Sequence, residues 1–210
     1  MKNREITMKT KLKPIELISL AVVFIAALFL GFLLNSEVFT IAEVSNVSME
    51  DTLIEGEKIY INKLAYVNDI PDRGDIVVFL RGETINGFFG RFKITMEDLV
   101  LRFSPDTRSN RLIKRVVGLP GDIIEIKNEK VYLNYIELPE SYVKGITKPY
   151  RASGKITVPE GKIFVMGDNR TLSNDSRDFG FVDIGSLEGK ASFRYSPLRK
   201  FTKFRHTYYE

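Results

Sequence analysis

The chain has 210 residues, 31 basic against 27 acidic side chains, a formal net charge of +4 and no cysteine. The lack of cysteine excludes disulfides, iron–sulfur ligation and thiol catalysis. The single histidine, His206, stands four residues from the end, which argues against a Ser–His–Asp triad and excludes a histidine metal cluster.

In chain order, residues 1–16 carry Lys2, Arg4, Lys9, Lys11 and Lys13 against Glu5 and Glu16, so most of the net charge sits at the N-terminus. The high pI therefore reports membrane topology, and no nucleic-acid partner is expected. The uncharged run Leu17 to Leu34 follows. As a helix it would rise about 27 Å, close to the roughly 30 Å hydrocarbon core of a bilayer. A cleavable leader normally has an apolar core of about 7–15 residues before a small-x-small site. Thr40-Ile41-Ala42 imitates such a site poorly, so the run reads as an uncleaved anchor. The positive-inside rule then gives a cytoplasmic basic tail over 1–14, a single transmembrane anchor over 15–35 and an extracytoplasmic domain over 36–210. The cell membrane is the expected location, and lipid a partner.

The exterior part has room for one core. Short β-type runs appear at Lys58–Asn62, Asp75–Leu80, Leu112–Val117, Ile123–Lys127, Val131–Leu138, Lys155–Val158, Lys162–Met166 and Ala191–Tyr195. Asn128-Glu129-Lys130 reads as a hairpin loop and Asn86-Gly87 as another turn. One short helix is expected from Thr95. The aromatic cluster Phe88, Phe89 and Phe92 reads first as a hairpin packed on the core and second as a segment dipping into the membrane surface. Near the end, Arg199, Lys200, Lys203 and Arg205 read as a solvated face able to touch anionic lipid. The fold class is mostly β, an antiparallel β-sheet domain behind one N-terminal transmembrane helix.

Three blocks carry candidate chemistry: Ser48-Met49-Glu50-Asp51-Thr52-Leu53, Lys114-Arg115-Val116-Val117-Gly118-Leu119-Pro120-Gly121-Asp122, and Gly167-Asp168-Asn169-Arg170-Thr171-Leu172-Ser173-Asn174-Asp175-Ser176-Arg177. A serine hydroxyl needs a base before it attacks, and a lysine is a base only when neutral. At an ordinary pKa near 10.4, about one lysine in 2,500 is neutral at pH 7; reaching about 8 takes roughly 3 kcal/mol of penalty on the ammonium. Desolvation is the available source. On a strand over Leu112–Val117, Lys114 shares a face with Leu112 and Val116 while Arg115 points the other way. A lysine alone on such a strand would read as a solvent-facing edge residue.

Together the blocks, with the anchor and Arg73-Gly74-Asp75-Ile76-Val77-Val78-Phe79, resemble the bacterial type I signal peptidases, in the single-anchor form of Gram-positive bacteria. The resemblance covers nearly the whole chain in the family's order. It implies a serine endopeptidase that needs no cofactor or metal and cuts signal peptides from exported preproteins after a small-x-small motif. Carried over by position, Ser48 resembles the nucleophile, Lys114 the general base and Ser173 the hydroxyl that orients the lysine amine. Asp168 with Arg115, and Asp175 with Arg177, resemble supporting ion pairs. The Ser48 backbone N–H would serve the oxyanion, aided by the Asn46 amide two residues earlier. Val44, Met49, Leu53, Leu112 and Ile113 would shape shallow apolar pockets for substrate bound as an added strand.

Asp51 departs from the family, whose members mostly have proline there. Glu50-Asp51 sets two carboxylates beside the nucleophile, where they would favour the ammonium form of Lys114. This suggests a specialised peptidase serving pilin or another surface-polymer subunit, or a non-catalytic relative that binds such subunits during fibre assembly. Ser141-Tyr142-Val143-Lys144 matches the Ser-x-x-Lys pattern of penicillin-binding proteins by chance, without their accompanying motifs. Asn46-Val47-Ser48 and Asn169-Arg170-Thr171 are sequons on paper, inside the blocks.

Overall fold

The computed structural model describes residues 13–85, 87–101, 103–104, 108–149, 154–196 and 199–204. Most of the basic tail, Asn86, Arg205 and His206 lie outside them. The apolar run becomes α1 (Pro14–Glu37), with Pro14 in its first turn and Glu16 accepting from the Lys13 N–H. It is about 36 Å long, and its residues before Phe32 are all exposed. It has the length and composition of a membrane span.

The strands after it are β1 (Phe39–Glu43), β2 (Lys58–Asn62), β3 (Ile76–Leu80), β4 (Arg111–Gly118), β5 (Ile123–Lys127), β6 (Lys130–Leu133), β7 (Ile136–Glu137), β8 (Lys155–Thr157), β9 (Lys162–Met166), β10 (Val182–Asp183), β11 (Leu187–Ser196) and β12 (Arg199–Lys203). Two helices, α2 (Gly87–Leu101) and α3 (Ser176–Phe179), interrupt them. The larger sheet runs β1-β2-β11-β3-β4-β9-β10, with β12 also on β11; the smaller runs β7-β6-β5-β8. Every strand pairing is antiparallel. The expectation of a mostly β domain behind one apolar helix therefore holds.

Alternation distributes the core. Ile76 and Val78 pack with Val44, Met49, Leu53 and Ile61, while Val77 and Phe79 face Val116, Ile163 and Val165. A third cluster joins the sheets, setting Val117, Phe164 and Met166 of the larger against Ile124, Ile126 and Val131 of the smaller. The central strand β4 is thus buried on both sides from Lys114 to Gly118, and a side chain there meets no bulk water.

The run expected over Val131–Leu138 divides into β6 and β7 at Asn134-Tyr135, both with positive φ (50° and 73°). That is a primed two-residue turn, repeating the one at Asn128-Glu129. Asn134 fits because its Oδ1 accepts from the Ile123 N–H at 2.9 Å. The larger correction concerns α2. The helix begins at Gly87, well before Thr95, and it carries the aromatic cluster expected on a hairpin. Local sequence reads poorly as helix because Phe-Phe-Gly lowers propensity; packing against α1 supplies what propensity lacks.

The anchor is fastened to the domain by Lys63, which follows β2. Its Nζ donates to the carbonyls of Asn35 (3.1 Å) and Ser36 (3.2 Å) in the last turn of α1 and lies 3.6 Å from Glu188. A cation at a helix C-terminus satisfies carbonyls that have no intrahelical partner and suits the helix dipole.

Candidate active site

Ser48 sits in a single 3-10 turn, Val47–Met49, directly after the chain leaves β1 and the core residue Val44. Met49 and Leu53 are fully buried on either side of an exposed Asp51, so the turn is pinned by two apolar plugs. Lys114 lies on β4 opposite Val77 of β3. Its Nζ is 2.7 Å from Ser48 Oγ and 2.9 Å from the Ile113 carbonyl oxygen. Ser48 is 4% exposed and Lys114 3%. Burial pulls the Lys114 amine down to about 8, against the opposing pull of Asp175 and then Asp168. A neutral amine has two N–H donors and one lone pair. Ile113 takes one donor, and the lone pair is left to accept from the Ser48 hydroxyl.

Asp168 holds the three blocks together. It takes both Arg115 Nε (2.8 Å) and Arg115 Nη2 (2.6 Å), and accepts from the Thr52 hydroxyl at 2.5 Å. The lysine strand, the serine turn and the third block thereby share one buried carboxylate. Arg115 also donates to the Gly74 carbonyl, and its guanidinium lies 4.0 Å over the Tyr142 ring. Asp175 pairs with Arg177 through Nε and Nη2, at 2.8 and 2.9 Å, and accepts from the Gly167 N–H at 3.0 Å. Gly167 has no room for a side chain: a Cβ there would come 2.2 Å from Ser173 Oγ and 2.4 Å from the Ser48 carbonyl oxygen. That carbonyl accepts from the Asn169 N–H at 3.1 Å, clamping the serine turn from behind. Asn169 Nδ2 donates to the Val47 carbonyl, so this asparagine belongs to the scaffold rather than to a surface sequon.

Several expectations change. Ser173 Oγ is buried but has no hydrogen-bond partner; the second bond of Lys114 goes to Ile113 instead. Asn46 does not donate toward the reaction centre. Its Oδ1 accepts from the Ser48 N–H at 2.9 Å, so the backbone donor expected for the oxyanion is occupied in the resting chain. Val44, Met49 and Leu53 are buried in one cluster with Ile113 packed against it, whereas Leu112 packs in another cluster on the opposite side of β4. Four of the five thus share one side of the sheet, and Leu112 stands apart from them. The carboxylates of Glu50 and Asp51 do not govern Lys114: both pair with Lys144, at 3.4 and 3.1 Å, and hold that lysine above its ordinary value.

Thr52, Gly167 and Asn169 stand inside the three blocks, where no catalytic or supporting role was expected of them. Thr52 carried a signal in its place inside the serine block, directly before Leu53; Tyr142 carried none. Among the described residues no cluster of three or more His, Cys, Asp or Glu side chains forms a metal cage. The site can activate a hydroxyl with a dry amine beside a buried apolar core.

The sequence profile described as "Signal peptidase, peptidase S26" matches residues 16–196. A signal peptidase I of Bacillus caldolyticus is 36% identical over 78% of this chain and 83% of its own length. A signal peptidase IB of Staphylococcus aureus is 29% identical over 91% of this chain and 92% of its own length. Among solved structures, a signal peptidase I from Enterococcus faecalis is 31% identical, covering 58% of this chain and 97% of that one with a TM-score of 0.38.

Proposed function

Since the chain belongs to the signal peptidase (peptidase S26) family and so cleaves signal peptides from preproteins, we propose that Ser48 is its nucleophile and Lys114 its general base. The observation that carries this reading is the 2.7 Å contact between a hydroxyl and a desolvated amine, both nearly without water. At a pKa of about 8, on the order of a tenth of Lys114 is neutral at pH 7, roughly two hundred times the fraction for a free lysine.

Lys114 Nζ takes the Ser48 Oγ proton as the oxygen bonds to the scissile carbonyl carbon. The tetrahedral intermediate then breaks its C–N bond, and the Lys114 ammonium returns the proton to the leaving amine. Water repeats the sequence against the acyl-serine, with Lys114 again the base, and frees the signal peptide as a carboxylate. The oxyanion needs a donor where its charge develops, and the Ser48 N–H becomes available once Asn46 swings aside. Asn46 is exposed, and once turned its Nδ2 can donate as well. Arg115, Asp168, Asp175 and Arg177 position these groups, and Ser173 lines the site behind them.

The topology that fits this chemistry has the basic tail (1–14) in the cytoplasm, the anchor (15–35) in the membrane and the peptidase domain (36–210) outside, where signal peptides emerge. The test is cleavage of a secreted precursor by full-length wild type, Ser48→Ala and Lys114→Ala in vesicles. Each substitution is expected to lower kcat by 10³-fold or more; equal processing by all three would support a binding role instead. Dedication to pilin or another surface-fibre subunit rests on Glu50-Asp51, an ionic rim with its own partner in Lys144. Asp51→Pro tests it: selective loss of one such precursor supports dedication, and unchanged cleavage of all precursors removes it.

A further inference from the structure

The helix α2 is amphipathic the wrong way round for a soluble domain. Its inward arc holds Arg91, 3.7 Å from Glu37 at the end of α1, together with buried Ile94 and Thr95 and the carboxylate Asp98. Asp98 receives Arg111 at 2.5 Å and Arg108 at 3.0 Å, and Arg111 continues to the buried Glu188 at 2.7 Å. Ion pairs thus fix this face to β4 and β11. At about 100° per residue, Phe88, Leu99, Phe92, Met96, Phe89 and Val100 fall in one outward arc roughly 120° wide. Phe89 is 82% exposed and Val100 65%. Phe103, just past the helix, is 88% exposed and extends the same apolar surface.

We propose that this outward face of α2 lies in the outer surface of the bilayer, so that the enzyme holds the membrane at two places, α1 and α2. The proposal rests on α1 being the membrane anchor and does not depend on the chemistry of Ser48. Continuity identifies lipid as the occupant. Phe92 meets Phe32 of α1 edge-on, with ring centroids 5.2 Å apart, and Phe32 lies inside the apolar run that ends at Leu34. The apolar arc of α2 therefore starts at the level where α1 leaves the hydrocarbon and continues its lipid-facing surface sideways. Lys93 and Glu97 pair along one flank, the polar margin of an interfacial helix. Aromatic side chains suit this depth, where ring faces meet acyl chains and edges meet headgroups. Lys63 holds α1 rigidly on the domain, so two membrane contacts fix the domain's tilt and the height of Ser48 above the surface where a signal peptide ends.

The chain has no tryptophan, so Phe89→Trp and Val100→Trp each place a single reporter in the full-length protein. Reconstituted in vesicles of mixed zwitterionic and anionic phospholipid, both are expected to emit at short wavelength and to lose at least half their intensity to lipids brominated high on the acyl chain. Tyr135→Trp, in an exposed turn of the smaller sheet, is expected to stay red and unquenched. Reporters on α2 that match Tyr135→Trp would overturn the proposal. So would a blue emission that brominated lipid leaves untouched, because a second copy or another protein would then cover the face. As a second readout, Phe89→Glu with Val100→Glu should slow cleavage of a membrane-inserted precursor about tenfold. Cleavage of a short soluble peptide in detergent should stay within twofold. Equal slowing of both substrates contradicts the two-point seat, whereas failure of the Ser48 reading alone would leave the fluorescence unchanged.

Discussion

Lys63 and Lys114 are equally hidden, at 4% and 3% exposure, yet they stand in opposite surroundings. Burial lowers the pKa of both. Around Lys63, Glu188 opposes that shift and two helix-end carbonyls accept its protons, so the site is built for an ammonium. Around Lys114 the nearest groups are a hydroxyl and one carbonyl. The nearby carboxylates Asp168 and Asp175 are engaged by Arg115 and Arg177. Dryness alone does not make a base. What matters is whether the surrounding charge is already claimed by a stronger cation, and arginine, which cannot be deprotonated, is suited to claim it.

The largest effects should come from breaking this division. Lys114→Met should abolish turnover, 10³-fold or more in kcat, while Lys63→Met retains it. Asp168→Asn frees Arg115 from its buried partner and should lower stability by about 3–5 kcal/mol in denaturant unfolding. It also removes a negative charge that raises Lys114, so the acid limb of kcat/KM should move below its wild-type position. Lys63→Met should cost about 1–3 kcal/mol by leaving the α1 carbonyls without a donor, and should not move that limb. Smallest of all, Lys144→Ala at the exposed rim should change both melting temperature and kcat/KM by less than the scatter between preparations.

Stability should also follow Lys114. The amine is less basic folded than unfolded, so between about 8 and its ordinary 10.5 the unfolded chain holds more protons. Stability therefore rises with pH across that window, and the full burial cost is carried below about 8. In Lys114→Met this slope should become shallower, leaving the part that Lys63 supplies, as unfolding at pH 7, 8, 9 and 10 would reveal.

Much of this site could be read in the sequence because its parts are short and local. The Lys114 strand showed in its alternation, and the anchor in its uncharged length. What could not be read depends on partners distant in the chain. Asn46 capping the Ser48 N–H is a choice of rotamer, and nothing in Asn-x-Ser says whether the amide donates or accepts. Lys63 follows an ordinary strand, and its value comes from carbonyls 27 and 28 residues earlier. The helix α2 was masked by Gly90 and by aromatic residues that suit strands equally well; only the neighbouring α1 decides between them. Leu112 and Ile113 were both expected at the substrate, but adjacent residues on a strand face opposite sides and cannot share a pocket wall.

The most direct measurement is the pH dependence of kcat/KM for a precursor peptide, taken in parallel on wild type and Lys63→Met. A single protonation near pH 8 should limit the rate on the acid side in both proteins, because the proposed base, Lys114, is intact in each. A rate already independent of pH from 6 to 10, or an acid limb that shifts when Lys63 is replaced, would contradict Lys114 as the base.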